Sequence, residues 1–164
     1  MVRWIFVDYE KCSGCRACEV ECSLTHEGII WREASRIRIV EPLPGITIPV
    51  VCVQCTEKYC MKSCRYDAIY LDSDEVIHVD SQKCTGCGSC INACPAHIPI
   101  MHPQDSYVLI CDLCGGEPAC VDVCSSLGYE ALKVVESDTV NRDLYLKNVE
   151  EIAEEIFKKI YGEV

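Results

Sequence analysis

The sequence lacks the marks of export. It opens MVRWIFVDYEKC, without a basic head, a long apolar run and a small-residue cleavage site. There is no twin-arginine pair, and no run of about 18 apolar residues that could cross a bilayer. The expectation is a cytoplasmic protein, in a reducing compartment, with no direct membrane insertion. Positive charge is also short: 15 Lys and Arg stand against 26 Asp and Glu, a formal charge of −11. The pair of arginines in SRIRIV is too little for a nucleic-acid surface, which needs basic patches, so nucleic acid is excluded as a partner. Asn and Gln number three each, a scarcity compatible with a thermophilic source. No P-loop, no GxGxxG after a strand, no pterin or flavin signature and no convincing pair of nucleophile and base is visible.

What the chain does have is cysteine, 16 in 164 residues. They fall into four groups of four with none left over. Cys12, Cys15, Cys18 and Cys22 lie in CSGCRACEVEC. Cys52, Cys55, Cys60 and Cys64 lie in CVQCTEKYCMKSC. Cys84, Cys87, Cys90 and Cys94 lie in CTGCGSCINACP. Cys111, Cys114, Cys120 and Cys124 lie in CDLCGGEPACVDVC. This internal repeat organises the whole chain.

Three chemistries use cysteine at such density. A disulfide scaffold belongs to secreted domains, and the absence of a signal argues against it. A structural zinc site takes two CxxC pairs from separated segments, whereas each group here packs its ligands into little more than ten residues. Spacings of two, two and three followed by Cys-Pro match the bacterial-ferredoxin run for iron–sulfur clusters. Three cysteines on a tight loop can reach three corners of a cubane, and Gly14, Gly86 and Gly88 ease that loop. The fourth cysteine follows the third at i+4, about one helical turn away. In two-cluster ferredoxins it ligates the neighbouring cluster, so the spacing argues for adjacent clusters and electron transfer between them.

At these residues the chain resembles the four-cluster ferredoxin-type electron-transfer subunits of molybdenum and tungsten pterin oxidoreductases, formate dehydrogenases and hydrogenases. The likeness runs from residue 3 to about 135 and rests on all sixteen cysteines. It implies four [4Fe–4S] clusters with crossed ligation. Cys12, Cys15 and Cys18 would share a cluster with Cys124, and Cys111, Cys114 and Cys120 one with Cys22. Cys52, Cys55 and Cys60 would share a third with Cys94, and Cys84, Cys87 and Cys90 the fourth with Cys64. One departure is that only Cys94 is followed by proline; Ser23, Arg65 and Ser125 stand at the other three places.

The implied fold is α+β: two interleaved bacterial ferredoxin-like domains with short strands and helices, plus a C-terminal helix. The outer domain takes residues 1–24 with 104–136, and the inner one 50–103. Residues 25–49 form an inserted hairpin, either a partner surface or cover for the clusters. Residues 138–162 form an amphipathic helix on which Tyr145, Val149, Ile152, Ile156 and Ile160 recur at helical spacing. DAIYLDSDEVIHVDSQKC reads as a hairpin between groups two and three, and EALKVVE as its counterpart after group four. His26, His78, His97 and His102 read as loop or surface residues, because the ligand sets are already complete. Arg16, Lys62 and Arg65 read as solvated.

With four clusters in so short a chain, little room remains for a substrate pocket. The chain is therefore expected not to be an enzyme by itself. It relays single electrons between a catalytic oxidoreductase subunit and a ferredoxin-like partner. The catalytic subunit is expected to be a tungsten- or molybdenum-pterin enzyme acting on an aldehyde or formate. A hydrogenase or carbon monoxide dehydrogenase relay, a free polyferredoxin and a structural zinc protein are the alternatives.

Overall fold

The strands form four separate two-stranded antiparallel sheets among the described residues, 2–136 and 142–162, of the computed structural model. Strand β1 (Arg3–Val7) pairs with β8 (Leu132–Glu136), so the start of the chain closes on the segment after the last cysteine group. Its register sets Arg3 opposite Glu136, and the two side chains form an ion pair at 3.3 Å. Strands β2 (Arg38–Leu43) and β3 (Ile46–Val50) make one hairpin, and β4 (Ile69–Leu71) and β5 (Ile77–Val79) another. The last pair is β6 (Ile100–Met101) with β7 (Val108–Leu109). Helices α1 (Ala17–Glu27), α2 (Tyr59–Lys62), α3 (Ser89–Ala93) and α4 (Ala119–Ser126) each follow a cysteine loop. Helix α1 packs on α4, and α2 on α3. The fold is therefore mixed α+β, with the first and last cysteine groups brought together by α1 and α4 and the middle two by α2 and α3.

Local sequence explains the boundaries. The β-branched and aromatic run RWIFV suits a strand, and it buries Trp4, Ile5 and Val7. Helix α1 stops at Gly28, whose φ of 73° lets its N–H donate to Leu24 O. Ile5, Ile37, Ile48 and Ile77 are almost wholly buried and pack with the inner cysteines into one core. A smaller cluster joins Trp4, Val53 and Cys55 to Phe6 and Tyr145, with the Trp4 and Tyr145 rings 5.2 Å apart.

Three sequence expectations need correction. Residues 25–49 are not a hairpin throughout: α1 runs to Glu27, a 3-10 turn covers Arg32–Ala34, and the strands occupy 38–50. The β6–β7 hairpin was not foreseen. It spans residues 100–109 and so crosses the boundary expected at 103 and 104; its strands are two residues each, too short for alternation to show. The C-terminal helix α5 is Val149–Tyr161, and Tyr145 lies outside it, in a 3-10 turn over Arg142–Tyr145. Residues 138–141 of the expected helix lie outside the described residues. The late start has a physical cause. Asn148 Oδ1 accepts from Glu151 N–H at 2.8 Å, and Glu151 Oε2 accepts from Asn148 N–H at 2.9 Å, a reciprocal capping box.

Helix α5 serves as cover along one stripe, burying Ile152 and Ala153, while Ile160 and Tyr161 are exposed. Lys159 donates to Glu10 and ties the helix to the 3-10 turn over Tyr9–Lys11. Among the described residues, no helix is long and apolar enough to cross a membrane. Asn148→Ala is expected to destabilise the protein by about 1 kcal/mol, and Asn148→Asp to retain most of that stability. Thermal unfolding of the anaerobically purified protein measures both.

Candidate metal centre

Two cavities each bring three cysteines of one group together with one from another. Cys12, Cys15, Cys18 and Cys124 line one cavity, with Ile39, Pro49 and Leu132 as its apolar wall. Cys52, Cys55, Cys60 and Cys94 line a second, walled by Ile77, Ile98 and Ile110. Cys120 lies within electrostatic reach of Cys22 and Cys114, and Cys111 within reach of Cys120 and Cys22. Cys90 in turn feels Cys84 and Cys64. Cysteines of different groups also feel one another: Cys18 and Cys120, Cys111 and Cys52, and Cys60 and Cys90. Cys15 and Cys87 are the exposed cysteines.

The loops share a backbone device. The residue before the second cysteine is left-handed in all four: Gly14 (φ 71°), Gln54 (φ 51°), Gly86 (φ 67°) and Leu113 (φ 56°). Such turns direct successive N–H groups toward an enclosed anion. A side chain in this region costs roughly 1–2 kcal/mol. Gln54 and Leu113 offset that cost by burial, and Gln54 by hydrogen bonds as well. Its Nε2 donates to Cys111 O at 2.8 Å, and its Oε1 accepts from Ile77 N–H at 3.0 Å. It thereby spans from the Cys52 loop to the Cys111 loop.

The donor chemistry fits an iron–sulfur group. All sixteen thiols are free. Burial pushes Cys18 and Cys60 up to about 12 and Cys90 up to about 11, and holds Cys52 and Cys111 well above the usual thiol range. A thiolate is the metal ligand, so these interiors accept ionised sulfur only with metal cations to balance it. Cys22 runs the other way. Burial would raise it, but His26 and the Arg36 N–H, which donates to Sγ at 3.3 Å, bring it below its ordinary value.

Charged residues that the spacing does not reveal stand close to the sets. Glu19 is 4% exposed; its carboxylate accepts from Ile39 N–H at 2.8 Å and Arg32 Nε at 2.9 Å, and pairs with Arg16 at 3.3 Å. Arg16 is therefore ion-paired rather than simply solvated. Lys58 is buried between Cys55 and Cys60. Lys62 does lie at the surface, 2.6 Å from Glu57, and Arg65 is exposed.

The histidines also depart from a uniform surface role. His26 sits on α1, its Nε2 3.0 Å from Asp112 Oδ1 and its Nδ1 2.8 Å from Cys22 O. His26, Asp112 and Cys114 bring three donor atoms within 4.8 Å of one another, beside the Cys22 set. His102 is buried, stacked on Tyr107 at 4.7 Å, and its Nδ1 accepts from Asp105 N–H at 2.9 Å. His78 lies on β5, 2.8 Å from Asp72, and His97 is exposed. The signal for His26 was its place four residues after Cys22 on one helix face; nothing local marks His102.

Thiol sets of this kind define an iron–sulfur protein, and comparison with known proteins gives the family. The 4Fe-4S dicluster domain matches residues 45–133, and a 4Fe-4S binding domain matches 9–25. The chain belongs to this family of iron–sulfur electron-transfer subunits. It is 45% identical to the polyferredoxin-like subunit of an aliphatic sulfonate oxidoreductase from Pyrococcus furiosus, over 98% of this chain and 94% of that one. It is 31% identical to the thiosulfate reductase electron transfer subunit of Salmonella typhi, over 77% of this chain and 71% of the relative. Among solved structures, the active-site complex BamBC of benzoyl coenzyme A reductase with benzoyl-CoA has a chain matching at TM-score 0.50 and 29% identity, over 98% of this chain and 91% of that one.

The loop geometry separates two glycines. A Cβ on Gly14 would meet Thr47 Cγ2 at 2.7 Å, whereas one on Gly88 (φ 74°) meets nothing within 4 Å. Both Gly→Ala changes carry the left-handed cost of roughly 1–2 kcal/mol, and only Gly14→Ala adds a clash. Gly14→Ala is expected to lower the thermal midpoint and the iron content more than Gly88→Ala.

Proposed function

We propose that this chain relays single electrons through four [4Fe–4S] clusters, held by the sixteen cysteines in the crossed sets that the resemblance implies. The observation that carries this reading is the convergence of Cys12, Cys15 and Cys18 with Cys124, and of Cys52, Cys55 and Cys60 with Cys94, around separate cavities. Bound clusters would supply one-electron storage and transfer. The chain's own residues supply the path. The loops hold the sets in a row, Gln54 spans the two middle ones, and apolar side chains such as Ile39, Ile77 and Ile110 keep water out. Exposed Cys15 and Cys87 mark the end sets as the places where electrons enter and leave. The outer domain, 1–24 with 104–136, and the inner domain, 50–103, are proposed on the same basis, with the β6–β7 hairpin joining them.

In this reading the partners are a catalytic oxidoreductase subunit at one end and a ferredoxin-like acceptor at the other. A tungsten- or molybdenum-pterin enzyme remains the proposed catalytic subunit. The 45% identical relative adds an aliphatic sulfonate to aldehyde and formate as the substrate class. A cytoplasmic setting goes with the proposal, because free thiols and clusters favour a reducing compartment.

Elemental mass spectrometry of the complex, purified anaerobically from its own host, tests this. About sixteen iron atoms per chain are expected, four for each cubane. Stoichiometric tungsten or molybdenum would identify the pterin partner, and nickel would point to a hydrogenase or carbon monoxide dehydrogenase. Zinc near four per chain with little iron would overturn the reading. Cys124→Ala is expected to abolish the EPR signal of one end cluster, that of the Cys12 loop, and to leave the other end cluster intact.

A further inference from the structure

Lys58 is the buried lysine among the described residues, 8% exposed in the loop between Cys55 and Cys60. Its Nζ donates to Glu75 O at 3.0 Å and to Gln54 O at 3.3 Å, both neutral carbonyls. Among the described residues no carboxylate makes an ion pair with it. Lys62, four positions on, shows the ordinary arrangement, exposed and 2.6 Å from Glu57. An ammonium taken out of water and held only by carbonyls is costly unless an anion faces it. The groups that face Lys58 are Cys52 first, then Cys55 and Cys60, with Arg142 as a second cation in reach.

The cations near the other sets have partners or solvent. Arg16 and Arg32 are paired with Glu19, Arg36 with Glu27 and His26 with Asp112. Lys83 is 3.5 Å from Asp80, and Arg65 is exposed. Among the described residues Lys58 is the one cation that is buried and without an acid; Arg38, half-buried and bonded to His97 O and Ile98 O, reaches Cys94 of the same set.

We propose that Lys58 is the resident counter-charge of the group held by Cys52, Cys55, Cys60 and Cys94, and that it makes this inner station the most easily reduced of the four. The inference rests on the relay reading above. Four thiolates around a cubane carry net negative charge, and each added electron increases it. A fixed positive charge in a low-dielectric interior favours the state with the extra electron, whereas a surface charge is screened. Lys58 thus creates a resting place for an electron inside the row. Such a place holds one electron of a pair released at the catalytic end while the other leaves singly through the far end. Lys58 acts as a positioning residue for charge, beyond its evident role as a staple between the Gln54 and Glu75 backbones.

The test is a redox titration followed by EPR on the anaerobically purified complex, comparing wild type with Lys58→Met, Lys58→Arg and Lys62→Gln. In Lys58→Met one midpoint is expected to move to more negative potential while the other three hold and iron content is unchanged. Lys58→Arg restores that midpoint, Lys62→Gln leaves all four in place, and added salt does not remove the shift. No shift, a positive shift, or an equal shift of all four overturns the proposal. If Lys58→Met takes up too little iron to titrate, Cys60→Ser, which keeps Lys58, decides the matter. The signal altered by Cys60→Ser must be the one with the highest midpoint; alteration of any other overturns the proposal. Absence of iron–sulfur signals in the wild type would sink the relay reading itself, whereas four signals indifferent to Lys58 would sink only this inference.

Discussion

Burial drives half of these thiols toward the protonated form, and iron requires them ionised. Everything else in the chain is arranged around that conflict. Cys52 and Cys111 lie in the core and their thiols are held well above their ordinary range. Such a core holds neutral thiols readily and ionised sulfur only against a cationic metal group, so metal binding there would release protons and couple to folding. The isoleucines and valines that surround the cysteines add apolar contact, but the sheets they sit on are pairs of short strands, too small to stand alone. The fold is a set of loops and covers that becomes rigid around what the sulfurs hold.

The same conflict explains the strained backbone. Left-handed residues stand before each second cysteine, a backbone form that can turn N–H groups toward enclosed sulfur, as Gln54 N–H does toward Cys52 Sγ. Glycine does this freely at positions 14 and 86. At Gln54 and Leu113 the conformation is imposed by the surroundings, and both side chains are almost wholly buried as a result. Gln54 gains most from it, since its amide joins the Cys111 backbone to β5 while its own N–H lies 3.4 Å from Cys52 Sγ.

What the sequence could reveal follows from which features are local. The four groups of cysteines and the α+β class are legible because ligand spacing is a local property, and so are the β4–β5 hairpin and the strand after group four. Left-handed backbone at Gln54 and Leu113 is not, because neither residue type announces it. The start of α5 was misplaced because apolar spacing continues through Tyr145, while the reciprocal Asn148 and Glu151 cap decides the boundary. Nothing local marks Glu19, Lys58 or His102 as buried; their burial comes from segments distant in sequence. Glu19 receives the Ile39 N–H and Lys58 reaches Glu75, contacts that no window of a dozen residues contains.

These hidden charges, unlike the ligands, can set one proposed cluster of this chain apart from another. The cysteine scaffold is set by geometry and tolerates little change, since each proposed set draws ligands from two groups. Potentials depend instead on hydrogen bonds, exposure and nearby charge. Near Cys18 the chain places a carboxylate neutralised by two arginines, and near Cys52 an ammonium held by two backbone carbonyls, with no acid paired to it among the described residues. A row of identical clusters would have no preferred position for an electron. Buried charges of unequal compensation break that equivalence, and they do so without altering a ligand. On the proposal that Lys58 sets one potential, the direction and pace of flow would follow buried charges such as Glu19 and Lys58 rather than the ligands.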